Sequence, residues 1–151
     1  KPQGNDRAQI KAVYQGECDV ALGNTYYMGK MQTNEKSPVQ KKWAAAVNLI
    51  FPNQNGRGTH VNISGAGLTK SAKNKAAALK LIEFLSSDAA QKIYAEGNFE
   101  YPVKAGVKLH PLVAAWGKFK PDTTDLAKVS EHRAQATRMM DRVRFNTMDG
   151  S

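Results

Sequence analysis

Cysteine is almost missing from this sequence: Cys18 is the only one in 151 residues. A lone cysteine forms no internal disulfide and builds no thiolate metal cluster. Histidine is nearly as scarce. His60, His110 and His132 lie far apart and show no metal-ligand spacing, so a metal site here needs oxygen ligands or completion by another part of the protein. Long apolar runs are lacking too. The longest, residues 43–51, is interrupted by Asn48 and falls well short of the roughly 20 residues that a membrane-spanning helix requires. There is no initiator methionine, signal peptide or lipidation motif, and the opening Lys1-Pro2 reads as a mature or trimmed product. Internal repeats, low-complexity tracts and a linker that would divide the chain are likewise missing, so no clean internal boundary is expected.

What remains is ordinary for a globular domain: 41% apolar and 23% charged residues. The charge itself is lopsided, at a formal +9. Two readings compete. A basic domain binds nucleic acid or another polyanion, or a basic piece is balanced by acidic residues elsewhere in a larger protein. The cations are spread from Lys36 to Arg144, which favours a solvated surface. The densest group, Arg138, Arg142 and Arg144, lacks interleaved aromatics for base stacking, so nucleic acid is not the expected partner.

Along the chain, Asn5 or Asp6 caps a first helix running to about Gln15, with Ile10, Val13 and Tyr14 on one face. Residues 19–22 read as a short buried strand closed by Gly23-Asn24. Thr25 then caps a short helix carrying Tyr26, Tyr27 and Met31. Residues 33–42 read as a polar loop, 44–51 as a strand, 52–59 as a turn-rich connection and 60–63 as another strand. A helix from about Asn74 to Leu85 presents Ala78, Leu81, Ile82 and Leu85 at core-facing spacing. Ser86 or Ser87 caps the next, which presents Ala90, Ile93 and Tyr94. Glu100-Tyr101-Pro102-Val103 is extended, because a residue before proline avoids helix. Residues 110–119 form a short helix. Asp122 to Thr124 cap a last helix of about 20 residues whose stripe contains Leu126, Val129, Ala136, Met139, Met140 and Val143. Helix–strand–helix order predicts an α/β fold, a mixed sheet flanked by helices.

Most candidate chemistry is weak. Gly56-Arg57-Gly58 lacks the lysine-serine pattern of a phosphate loop and reads as a turn. Glu17 and Asp19 beside Cys18 read as surface groups, and Tyr101 as a packed residue. The adjacent Tyr26 and Tyr27 carry two readings. One is packing: one ring in the core and the other covering it. The other is coordination. Ferric iron is a hard acid that prefers anionic oxygen, and its charge lowers the cost of removing a phenolic proton. Residues at a tight helix start can aim both oxygens into one cleft, and a helix N-terminus can also hold an anion.

The stretch QGECDVALGNTYYMGKM resembles the corresponding stretch of bacterial periplasmic ferric-iron-binding proteins, in which a similar pattern leads to paired tyrosines. The stretch VNISGAGLTKSAKNKAAALKLIEFLSSDAAQKIYAEGNFEYPV resembles the hinge strand, helix pair and "EYPV" segment of the same family. Together the two stretches cover about half the chain. The pair is the more specific signal, because importers of other solutes share the helices.

The resemblance implies a periplasmic-binding-protein-like lobe, part of a two-lobe hinged fold that closes on its ligand. It implies that Tyr26 and Tyr27 are iron-ligand phenolates, and that Asn24 bonds a bound anion or steadies a ligand. The remaining ligands and most of the anion loop would precede Lys1. The chain, residues 1–151, then reads as the C-terminal portion of a solute-binding protein, with parts of both lobes and the hinge strand. The expected function is capture of Fe3+, with a synergistic anion such as carbonate, phosphate or citrate, and delivery to an inner-membrane ABC permease. The expected setting is a periplasmic monomer completed by its N-terminal half, and not an enzyme. Phenolate ligation implies release promoted by acid or reduction. The alternatives are a binding protein for a polyamine, thiamine or an organic anion, and a basic nucleic-acid-binding domain.

Overall fold

A computed structural model describes residues 4–145. The first three helices form the best-packed part. α1 (Asp6–Tyr14) starts where the Asn5 side chain accepts a hydrogen bond from the Ala8 amide at 3.1 Å. α2 (Thr25–Gln32) follows an extended Asn24. α3 (Pro38–Ala45) begins with a proline, whose missing N–H costs nothing in a first turn. Met28 and Met31 of α2 and Ala44 of α3 are buried together, with Ile10, Trp43, Val47, Leu49 and Trp116 packed around them. Flexible methionines suit such a gap between short helices.

α4 (Lys75–Leu85) and α5 (Asp88–Asn98) make a helical hairpin. Ser87 caps α5 by accepting from the Ala90 amide at 3.2 Å. The buried Gln91 holds the hairpin to the following segment: its amide donates to the Leu85 carbonyl at 2.8 Å and its carbonyl accepts from the Val103 amide at 2.9 Å. Phe99 ends α5 in the left-handed conformation, φ 57°, and its ring lies against Gly29 of α2. A Cβ on Gly29 would stand 2.5 Å from Phe99 Cγ, so glycine is what lets α2 and α5 meet.

α6 (Pro111–Ala115) contributes the fully buried Val113. α7 (Leu126–Glu131) and α8 (Arg133–Arg142) follow. The turn of residues 52–59 is tied to residues 120–122 by the Thr59 amide donating to the Lys120 carbonyl at 2.8 Å and the Asp122 amide donating to the Thr59 carbonyl at 2.7 Å.

The α/β expectation is overturned. Among the described residues there is no strand and no sheet, only an isolated parallel bridge between Thr59 and Pro121. A strand exists only when its backbone groups pair with a neighbour, and residues 19–22 and 60–63 have no such ladder. Val20, Leu22 and Ile63 are exposed instead. Residues 44–51 begin inside α3 and continue as irregular backbone. Short apolar runs cannot be told from helix ends or loops by periodicity. Residues 33–42, read as a loop, contain the start of α3. The single last helix divides at His132, and Leu126, Val129, Met139 and Val143 are exposed. In α4, Ala78, Ile82 and Leu85 are half-buried while Leu81 faces solvent.

Candidate metal centre

Tyr26 and Tyr27 occupy the first turn of α2. Asn24 enters that turn extended, at φ −80° and ψ 135°, and its carbonyl accepts from the Tyr27 amide at 3.2 Å. The two rings stand face to flank, with centroids 4.3 Å apart and planes tilted by 32°.

The turn is anchored from outside. Asp6 Oδ1 accepts from the Asn24 amide at 2.7 Å and from Asn24 Nδ2 at 3.1 Å. Asn24 Oδ1 in turn accepts from Asn62 Nδ2 at 2.8 Å. One chain of hydrogen bonds thus links the start of α1, the start of α2 and residues 60–63. Two cations flank the rings. The Arg7 guanidinium lies 5.0 Å from the Tyr27 centroid, and Lys30 Nζ lies 5.1 Å from the Tyr26 centroid. Both distances are within cation–π range.

The Tyr26 phenol is held up to about 12. The largest cause is its hydrogen bond with the Tyr27 hydroxyl, followed by burial and by the negative charges of Asp6 and Glu100. Without metal the Tyr26 phenol therefore keeps its proton. A trivalent ion reverses the balance, because its charge favours phenolate far more than the surrounding carboxylates oppose it. Two adjacent phenols suit a hard, oxygen-seeking cation. Among the described residues no three His, Cys, Asp or Glu side chains converge as an alternative metal cluster.

Sequence reasoning singled out Tyr26, Tyr27 and Asn24, and the fold brings them together. It missed Asp6, Arg7, Lys30 and Asn62. Lys30 is four residues after Tyr26, a helical neighbour that the spacing could have disclosed. Asp6 and Asn62 are 18 and 38 residues from Asn24 and left no local signal. Tyr101 packs its ring edge-on to Phe119, centroids 5.2 Å apart, with its hydroxyl buried and without a hydrogen-bond partner. Burial raises its pKa, as a packed residue's would be. Glu17 and Asp19 are exposed, and residues 56–58 form a turn without a following helix.

The sequence pattern of the bacterial extracellular solute-binding proteins matches residues 2–92. Iron uptake protein A1 of Synechocystis sp. is 54% identical over 140 residues, which are 93% of this chain and 39% of that protein. The major ferric iron-binding protein of Neisseria meningitidis serogroup B is 32% identical over 145 residues, covering 93% of this chain and 41% of its own length. Among solved structures, the Trichodesmium FutA complex with iron and citrate superposes with a TM-score of 0.87 at 49% identity, covering 94% of this chain and 45% of that one. Apo ferric ion-binding protein A of Pasteurella haemolytica gives 0.89 at 47% identity, covering 99% and 46%. The chain thus spans about two fifths of the length of the curated relatives it matches.

Proposed function

The chain belongs to the bacterial extracellular solute-binding protein family, and from that premise we propose that it is part of the ferric-iron-capturing component of an ABC importer. The observation that carries this reading is the paired Tyr26 and Tyr27 at the start of α2, with ring centroids 4.3 Å apart. Their phenolates are the iron ligands of this chain. The relatives named for iron uptake and ferric binding support the choice of metal, and the iron–citrate complex of a relative supports an anion beside it. Asn24 steadies the ligand turn: its side chain is committed to Asp6 and Asn62.

Two phenolates leave most of the coordination positions of ferric iron open. The chain is the C-terminal portion of a longer binding protein whose remaining residues close the other side of the cleft. An inner-membrane permease receives the iron, and the periplasm is the setting. The role is capture and delivery without a chemical transformation of the ligand.

The test is ligand choice by the full-length protein. Calorimetric titration with ferric citrate should give saturable binding, and titrations with putrescine and thiamine should give none. Saturable binding of either organic cation, with no response to ferric iron, overturns the reading.

A further inference from the structure

The Asn24 amide and Asn24 Nδ2 both donate to Asp6 Oδ1, at 2.7 and 3.1 Å. An ionised carboxylate only accepts, so the edge of the Asn24 side chain that faces Asp6 is its NH2 edge. Asn24 Oδ1 then faces Asn62, and Asn62 Nδ2 donates to it at 2.8 Å. That turns Asn62 Oδ1 toward His60, whose Nε2 stands 3.2 Å away and must carry the ring proton. One carboxylate thus sets the orientation of two amides and the tautomer of an imidazole. Every donor in the chain points toward Asp6, so the dipoles reinforce one another. Reversing a single link would set two acceptors face to face.

The chain reaches the tyrosine pair through Asn24, whose carbonyl accepts from the Tyr27 amide at 3.2 Å. Its other end is fixed as well. The Thr59 amide donates to the Lys120 carbonyl at 2.8 Å, and the Thr59 carbonyl accepts from the Asp122 amide at 2.7 Å. Residues 59–62 are therefore a strap, tied to residues 120–122 at Thr59 and to the start of α2 at Asn62. We infer that Asn62 is a positioning residue for the tyrosine pair, acting through Asn24, and that the one-way donor order from His60 to Asp6 is what gives it that role. This rests on the proposed iron-binding function and adds to it a residue, distant in sequence, that sets how the two phenols meet the metal. The strap holds the first turn of α2 at one angle, and the order of donors permits only that arrangement.

The test uses the full-length protein with ferric citrate as the probe. Iron retention is read by competition with a chelator, and ligand geometry by the phenolate-to-iron charge-transfer band. Asn62 is exposed, so its replacement disturbs no core. Asn62→Asp keeps the size but turns the donor edge into an acceptor. Asn24 must then flip its amide, and its oxygen confronts Asp6. Apparent iron affinity should fall about tenfold and the band should shift. Were charge alone at work, the added carboxylate would instead favour the cation and tighten binding. The double variant Asp6→Asn/Asn62→Asp has the net charge of the wild type and accepts the chain in reverse, so it should recover most of the affinity and the band position. Asn62→Ala, which removes the donor without adding charge, should cost about threefold in affinity. The inference is overturned by an Asn62→Asp protein that holds iron as tightly as the wild type or more tightly. A double variant no better than Asn62→Asp, or an Asn62→Ala protein indistinguishable from the wild type, overturns it equally. Failure of the underlying iron reading looks different: the wild type then shows no charge-transfer band at all.

Discussion

Tyr26 is an acid whose folded environment favours its neutral form, which fixes the sign of its pH effect. Its phenol is raised from the ordinary 10 to about 12 by the Tyr27 hydrogen bond first, then by burial and by Asp6 and Glu100. The folded state therefore binds this proton more tightly than the unfolded state. The resulting stabilisation is fully present below pH 10 and is lost as pH rises toward about 12. Following phenolate ultraviolet absorbance in the iron-free protein should show one tyrosine titrating near 12. In Tyr27→Phe that step should move down toward 10, because the largest cause has been removed. A step that stays in place would show that the Tyr27 hydroxyl does not hold it up. At this scale the sequence disclosed the tyrosine pair because its members are neighbours and are chemically uncommon together. It disclosed nothing of Asp6, Arg7 and Asn62, because only folding brings them to the pair.

Helices α1, α4 and α5 were legible because each carries its own start signal: Asn5, Asn74 and Ser87 stand at their N-terminal caps. α3 was not, because Pro38 within a polar stretch reads as a loop breaker, whereas at a first turn it begins a helix. The expected strands failed for a different reason. Helices satisfy their backbone groups internally, but a strand depends on a partner that its own sequence does not name. The contact between α2 and α5 was also invisible, since it depends on what glycine lacks. Gly29→Ala gains about 1 kcal/mol of helix propensity but drives a methyl into Phe99, whose Cγ lies 2.5 Å from the Cβ position. Overpacking of this kind costs about 1–3 kcal/mol, so denaturant unfolding should show a net loss of up to about 2 kcal/mol. Combining it with Phe99→Ala, which removes the Cγ, should cost less than the sum of the two changes, because the neighbours are coupled. Additive losses would mean that α2 and α5 do not press on each other at this point.

The chain exposes 11731 Å², whereas a compact monomer of 16.5 kDa exposes about 7,500 Å² by the usual size scaling. The hydrophobic residues that are buried, among them Met28, Met31, Phe99 and Val113, are few for this length, while Val20, Leu22 and Ile50 are 75%, 80% and 77% exposed. So open a surface does not suit a self-sufficient domain. The 151-residue chain alone should bind a dye for apolar surfaces strongly and unfold with a shallow denaturant dependence, since the slope tracks the area exposed on unfolding. The full-length protein should bind little dye and unfold steeply. A sharp transition without dye binding in the isolated chain would contradict this. The overall charge and composition were fully legible in the sequence, but the openness was not, because a hydrophobic pattern records which residues want burial and not what covers them.

The proposed role of Tyr26 and Tyr27 is to bind ferric iron as phenolates. Resonance Raman spectroscopy of the iron-loaded full-length protein, excited within the charge-transfer band, reports metal-bound tyrosinate directly. The tyrosinate ring modes should be strong in the wild type, weaker in Tyr26→Phe and in Tyr27→Phe, and reduced further in the double variant to whatever ligands outside this chain contribute. Ring modes of full intensity in the double variant, with iron still bound, would contradict the assignment and place the iron on other ligands.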